Sequence, residues 1–342
     1  MPRQKEKHIF LKIVLICTFI IIGFYLHITN GMFDMSLSQV FKTIFFLDDN
    51  EKFRLVIFEL RLPRIIIAIL VGIGLALAGC VLQGITKNDL ADPGILGINA
   101  GAGAAVVIFM FLFQFQAIRT DGSEWLNVML MPFFGLVGGT LAAAIIFAFS
   151  FKYGRLDVQR LLLTGIAINS GFGALSLYIS LKMNEKDFEA AALWQAGSIY
   201  NANWTFIISM LPWIIFLGIY VFRKSHLLDY FQLEESTIIS LGIKLEREKI
   251  KLLLASVGLV SACVSVSGSI GFIGLMAPHI ARQLVGIRHR LVVPVSALIG
   301  AGLLVFSDFV GKTLFAPSEL AVGIVVSILG IPYFLYLLVK SR

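Results

Sequence analysis

The stretch Ser267–Arg290 reads SGSIGFIGLMAPHIARQLVGIRHR and sets His279 and His289 among three arginines at the end of an apolar run. Imidazoles in such a place suggest a metal centre or a proton-transfer site. Either chemistry needs company, because a bound metal wants convergent ligands and a supporting outer shell. No Cys, Asp or Glu lies between the two histidines or close to them in the chain. A place at a helix end, near a membrane boundary, accounts for them better. Gly311–Lys312–Thr313 looks like the tail of a phosphate-binding loop, but that loop needs a glycine five positions earlier and a preceding strand. Phe306 occupies that position, so any ATP hydrolysis belongs to another chain. Cys17, Cys80 and Cys263 stand far apart in apolar runs without CxxC spacing and read as small core side chains. His8, His27 and His226 fall near span boundaries or in connections, which speaks against a haem held between spans. The expectation is no metal and no cofactor.

The elements around these residues belong to a membrane. The 342 residues are 58% apolar and 14% charged, with a mean hydropathy of +0.89, whereas about a quarter of a globular chain is charged. A crossing needs about 20 mostly apolar residues, and the chain supplies that length many times. The net charge of +7 comes from short basic clusters between apolar runs, which is the positive-inside pattern rather than a nucleic-acid surface. The basic N-terminus runs into an apolar stretch with no small-x-small cleavage site, so it reads as an uncleaved first span.

Candidate spans fall at about 9–28, 65–85, 93–114, 128–150, 160–181, 204–222, 251–267, 271–286, 291–310 and 320–339. Residues 252–281 carry no acid, Lys or Arg and fit either one long tilted helix or two helices reversing at Gly268, Gly271 and Gly274. With ten spans and both termini inside, the inner segments hold 19 of the 28 Lys and Arg; with nine spans the split is 15 against 13. The charge rule therefore favours ten and puts PHIARQLVGIRHR at the cytoplasmic face. In the outer segment 30–64, Leu37, Val40, Phe41, Ile44 and Phe45 share one helical face. Ser36 or Ser38 is available as N-cap, which predicts a short helix on the outer membrane surface. The inner segment 223–250 is mixed in charge, helical in pattern and interrupted at Gly242. GILGINAGAGAA (94–105) and GLVGGTLAAA (135–144) hold small residues four apart, the spacing that lets helix backbones approach in lipid. Gln83, Asn99 and Asn169 are the polar groups within spans, and Asp308 lies near an outer end. An ion-coupled carrier wants a buried carboxylate or lysine, so the driving force is expected from outside this chain.

Longer stretches carry a family resemblance. RLPRIIIAILVGIGLALAGCVLQGITKNDLADPGILGINAGAGAA (61–105) resembles the second and third spans of the iron–siderophore and cobalamin ABC-importer permeases of FecCD type. GSIGFIGLMAPHIARQLVGIRHRLVVPVSALIGAGLLVFSDFVGK (268–312) resembles their eighth and ninth. RLLLTGIAIN (160–169), LWQAGSIYNANW (193–204) and ELAVGIVVSILGIPYFLYLLVK (319–340) follow in the family's order. The resemblance implies an all-α polytopic fold of about ten transmembrane helices, the type II ABC-importer permease fold, as one transmembrane domain over 1–342 with a cytoplasmic coupling segment at about 223–250. It implies a second permease, identical or a sister, two cytoplasmic ATPase subunits, and an extracytoplasmic siderophore-binding protein. The setting would be the bacterial cytoplasmic membrane and the cargo a ferric siderophore, with cobalamin or haem as the alternative.

Carried over residue by residue, RLPR implies that Arg61 and Arg64 meet acidic groups of the binding protein at the outer mouth. Lys312 stands where a third basic docking residue is usually Arg, so it keeps the charge and loses the planar fork. LEESTIISLG implies coupling to the ATPase through Glu234, Glu235, Leu241 and Gly242. NDLADP implies an inner gate at Asn88 and Leu90, with Asp89 where the family has Pro. Val158 and Gln159 stand where small hydroxyl residues form the gate, and Ala321 where Pro is common. The chain is expected to perform no bond chemistry. Its rivals, an ion-coupled secondary carrier and a membrane oxidoreductase, lack the residues they need.

Overall fold

The computed structural model describes residues 2–30, 35–47, 50–94, 97–117, 124–152, 155–240, 242–316 and 318–340. The chain opens with α1 (Pro2–Thr29) and a short helix α2 (Leu37–Ile44) at the end of the bundle that the charge rule expects to face outward, hence the outer end, the opposite one being the inner. Ser36 and Gln39 close a reciprocal capping box on α2, whose Val40 and Thr43 are buried while Leu37, Phe41 and Phe45 are exposed. From Glu51 the chain is helical without a break: α3 (Glu51–Leu55), a π-helical turn (Val56–Arg61) and α4 (Leu62–Thr86). That continuity differs from the sequence expectation, in which residues 46–64 connect a surface helix to a span.

There follow α5 (Ile98–Ala117), α6 (Glu124–Ser150), a two-stranded hairpin of β1 (Phe151–Lys152) and β2 (Arg155–Leu156), α7 (Val158–Ser180) and the outer helix α8 (Glu185–Gln195). After these come α9 (Trp204–Tyr230), α10 (Glu235–Ser240), α11 (Leu245–Ser267), α12 (Ile273–Val285), α13 (His289–Leu314) and α14 (Val322–Lys340). Among the described residues, eight helices are long and apolar enough to cross a membrane. A shorter apolar helix, Ile98–Leu112 within α5, adds to these. At 13 residues α12 is about 20 Å long, too short to cross alone. The chain is thus an all-α polytopic membrane protein. Helix α9 reaches further inward than the expected span 204–222, through Tyr230, and neither α8 nor the small hairpin was expected.

The run 252–281 resolves into two helices. Helix α11 ends at Gly268, with φ +68°, and α12 starts after Phe272, with φ +64°. A left-handed residue at each end of a five-residue segment turns the chain back on itself. Gly311–Thr313 lies inside α13, a helix interior and not a loop.

Helix α4 is the centre of the bundle, buried along nearly its whole length and packed by α9, α11, α12 and α13. Small residues permit this: Gly72 lies on the backbone of Gly300 and Ala301, and Gly79 on that of Gly274. The two small-residue stretches of the sequence meet each other, since Gly101 packs on Gly138 and Ala142, and Gly138 on Ala105. Lipid offers no hydrophobic drive for helix association, so backbone proximity is what holds these pairs.

Valine at Gly79 would place its side chain in the Gly274 backbone. Gly79→Val is expected to destabilise the fold by about 1–3 kcal/mol, read as a lower midpoint of heat-induced aggregation in detergent. Gly103→Ala, whose Cβ meets only Trp194 at 3.6 Å, should leave that midpoint unchanged.

Candidate functional site

At the outer end, the π-helical turn delivers Arg61 and Arg64 to the first turn of α4. Arg61 is 4% exposed and its Nη1 donates to the Ile28 carbonyl at the end of α1. Arg64 makes a two-bond pair with Asp308 of α13, Nε to Oδ2 at 2.7 Å and Nη2 to Oδ1 at 2.8 Å. Its Nη1 donates to Glu319 Oε2 at 2.6 Å, on the α13–α14 connection. His27 of α1 contacts the same Asp308 Oδ2 through Nε2 at 2.6 Å. Asp308 is therefore a buried carboxylate inside a span, 1% exposed, with a full charge partner. Lys312 is half-buried and donates to the Asn30 carbonyl at 3.3 Å.

This placement differs from the expectation of two guanidiniums open at the outer mouth. Arg61 and Arg64 are occupied by their own chain, and Lys312 alone of the three is part-exposed. The carboxylates that hold Arg64 stand 244 and 255 residues away in sequence, so no local motif announces them. Arg64, Asp308 and Glu319 line a cavity of about 520 Å³ together with Trp194, Tyr200 and Phe206, and the Tyr200 ring centroid lies 6.0 Å from the Arg64 guanidinium carbon.

At the inner end, the connection Lys87–Gly97 is wrapped around α12. Gln83 of α4 shares its amide hydrogens among the carbonyls of Ala91, Gly274 and Leu275 at 3.2–3.3 Å. Arg282 of α12 donates to Gln83 Oε1 and pairs with Asp89 at 3.1 Å. Helix α12 has no capping side chain of its own. Asp92 stands close to that start: Oδ1 accepts the Gly94 N–H at 2.6 Å, Oδ2 is buried without a hydrogen bond, and the backbone N–H groups of Phe272 and Leu275 are near enough to draw on the carboxylate. Burial pushes its pKa up to about 6 against the pull of those N–H groups. Asn88 Oδ1 accepts the Leu90 N–H at 2.9 Å, and Leu90 packs with Leu275, Met276 and Leu337. The turn with Asp89 in place of Pro is thus held by an Asx-type bond and a salt bridge. Val158 is half-buried and Gln159 exposed, both in the first turn of α7, whose N-cap Asp157 accepts the Gln159 and Arg160 N–H groups. Ala321 is buried just before α14.

The histidines that suggested chemistry have separate partners. His279 contacts Gln283 at 2.9 Å, and His289 Nδ1 lies 2.7 Å from Asp229 of α9. Asp229 also accepts the His289 backbone N–H, capping α13 from a neighbouring helix.

In the inner segment, Glu234 is exposed and precedes α10, whose Ile238 is buried. Gly242 is exposed with φ +75°, which supplies the expected bend. Leu241 and the Glu235 side chain lie outside the described residues.

Residues 19–340 match the FecCD transport family. The chain is 49% identical over 331 residues to the iron-uptake system permease protein FeuC of Bacillus subtilis, covering 97% of this chain and 98% of that one. It is 43% identical over 332 residues to the iron(3+)-hydroxamate import system permease protein FhuG of the same organism, covering 96% and 97%. A solved structure described as an inward-facing conformation of a metal-chelate type ABC transporter superposes with a TM-score of 0.82 at 28% identity, over 96% of this chain and 99% of that one.

Removing one member of a buried pair strands the other charge, at a cost of about 3–5 kcal/mol. Asp308→Asn should therefore abolish recovery of monodisperse protein. Glu319→Gln, at a site 25% exposed, should cost about 1 kcal/mol or less. Replacing both partners, as Arg64→Met with Asp308→Leu, should recover much of the folded yield. Size-exclusion profiles in detergent read all three.

Proposed function

The chain belongs to the FecCD transport family, and from that premise we propose that it moves ferric siderophores inward as the integral-membrane permease of an ABC-type importer. The full-length identity with an iron-uptake permease carries the cargo assignment. The fold and the family make the chain a transport permease; hydrolysis of ATP falls to partner subunits.

The exposed surface supports a dimer around a shared path. Helix α7 leaves Asn169 and Ser170 exposed in mid-span, and open space surrounds Gly171 and Gly173. Polar groups at that depth face protein or water and not lipid tails. A second permease, identical or a sister, would cover that face and leave the polar positions lining a passage. We place both termini and the segment 223–250 on the cytoplasmic side of a bacterial plasma membrane, following the basic clusters. The chain acts as one transmembrane domain over 1–342. Two ATPase subunits would bear on Glu234–Gly242, and their closure on ATP would tilt the inner ends of the helices, moving the turns at Asn88–Leu90 and Val158–Gln159. An extracytoplasmic siderophore-binding protein would approach the outer cavity, where Lys312 offers charge and Arg61 and Arg64 act from beneath it. An ion-coupled carrier would need a carboxylate free to change partners, and Asp308 is already held by Arg64 and His27.

Deleting the chain should abolish radio-iron uptake from particular siderophores in iron-limited cells. Unchanged iron uptake with lost cobalamin or haem uptake would reassign the cargo. Purified alone in liposomes, the chain should accumulate no ferric chelate under a proton or sodium gradient. Lys312→Glu should weaken binding-protein association, with an effect that shrinks as salt rises; equal affinity of variant and parent would remove Lys312 from the docking surface.

A further inference from the structure

We propose that Glu246 is a positioning residue that ties the inner end of α7 to the coupling segment, so that each root of that segment carries one of the two inner turns. The inference rests on the permease reading above and goes beyond it by naming the bonds through which motion passes.

The segment between α9 and α11 has two roots. At the first, Gln232 Nε2 donates to the Gly84 carbonyl at 3.1 Å and Lys87 Nζ donates to the Leu233 carbonyl at 3.0 Å. Gly84 lies in the last turn of α4 and Lys87 is its left-handed C-cap, one residue before Asn88. At the second root, Glu246 in the first turn of α11 accepts the Leu156 N–H through Oε2 at 3.1 Å, across 90 residues of sequence. Its other oxygen takes Lys249 Nζ at 3.3 Å, which fixes the carboxylate's orientation.

Leu156 is buried and ends the hairpin, paired with Phe151. The next residue, Asp157, bonds back to the Ser150 carbonyl at 3.0 Å and caps α7. A displacement of Glu246 therefore reaches Val158, two residues after Leu156, and then Gln159 through the Asp157 cap. Helix α10 cannot move apart from this root, because Ile238 is buried and its carbonyl accepts the Ile243 N–H at 3.4 Å. The exposed joint at Gly242 sets the angle between α10 and α11 without breaking that contact.

A simpler account would make Glu246 an acidic residue placed favourably at a helix N-terminus. The two accounts differ in what glutamine does. Gln keeps an acceptor oxygen for Leu156 and loses the charge, whereas Ala loses both.

The test uses the full permease assembled with its ATPase in lipid nanodiscs, with spin labels on cysteines placed at Gln159 and at Leu314 on the outer end of α13. In the parent, ATP trapping with vanadate should change the label distance. In Glu246→Ala that change should largely vanish while ATP hydrolysis stays within about twofold, and uptake per ATP should fall by about two- to thirtyfold, the span that single contacts on a coupling route carry. Glu246→Gln should behave as the parent. Full label movement in Glu246→Ala overturns the inference, as does equal impairment of Ala and Gln variants. A complex that assembles with Gln but not with Ala makes the bond one of folding and also overturns it. Because the label distance needs no cargo, it reads the inference even if the parent carries no ferric siderophore, the result that would sink the cargo assignment instead.

Discussion

Inside hydrocarbon every polar group must find its partner within the protein, because no water is there to take its place. That one requirement organises the structure. Helix α12 starts in mid-bundle, where the Ile273, Leu275 and Met276 N–H groups bond back to the carbonyls of Gly271 and Phe272, and Asp92 of another connection accepts the Gly94 N–H beside them. Gln83 spends its amide on three carbonyls and receives Arg282. Arg64 could not lie buried in the first turn of α4 without Asp308, nor Asp308 in α13 without Arg64 and His27. Small residues on α4, α12 and α13 bring the backbones close enough for these pairings to close.

The same requirement sorts what the sequence reveals from what it hides. Approximate span positions, two helices in place of one over 252–281, a cap at Ser36 or Ser38 and close helix packing at the two small-residue stretches depend on local composition or on spacing of a few residues. All of these can be read directly and agree with the structure. Partners are different. Asp308 and Glu319 stand far along the chain from Arg64, and Glu246 is 90 residues from Leu156. Nothing in the period of a helix encodes such distances. A run of arginines at a span boundary therefore reads as a surface feature until the fold shows carboxylates waiting for it. The continuous helix from Glu51 was hidden for a related reason. Its first turns carry Glu51, Lys52, Arg54 and Glu59, a charged composition that looks like a connection although helix geometry persists through a π turn.

The candidate site is correspondingly mixed. Asn88, Leu90, Val158, Gln159 and Gly242 occupy turns or helix ends. What sequence left out is the scaffold that holds those turns: Gln83, Asp92 and Arg282 around one, Asp157, Leu156 and Glu246 around the other. Buried amides and carboxylates within or beside apolar runs were the available signal, and Gln83 and Asp308 were visible as such. Their partners were not.

The two ends of the molecule are also linked in different ways, and that difference bears on the motion proposed above. On the outer side, the buried Arg64–Asp308 pair joins α4 to α13 and His27 of α1 contacts the same carboxylate, and separating the pair would strand a buried ion at a cost of several kcal/mol. On the inner side, the links from the coupling segment to α4 and to the hairpin are single hydrogen bonds to backbone groups. Each is worth only about 0.5–3 kcal/mol net, the upper end applying where the partner is charged. If partner subunits bear on α10 as proposed, a load there would meet these links before it met the buried pair. Helices held at the outer clasp would then tilt about it, opening the opposite end of a path while the outer walls keep their packing.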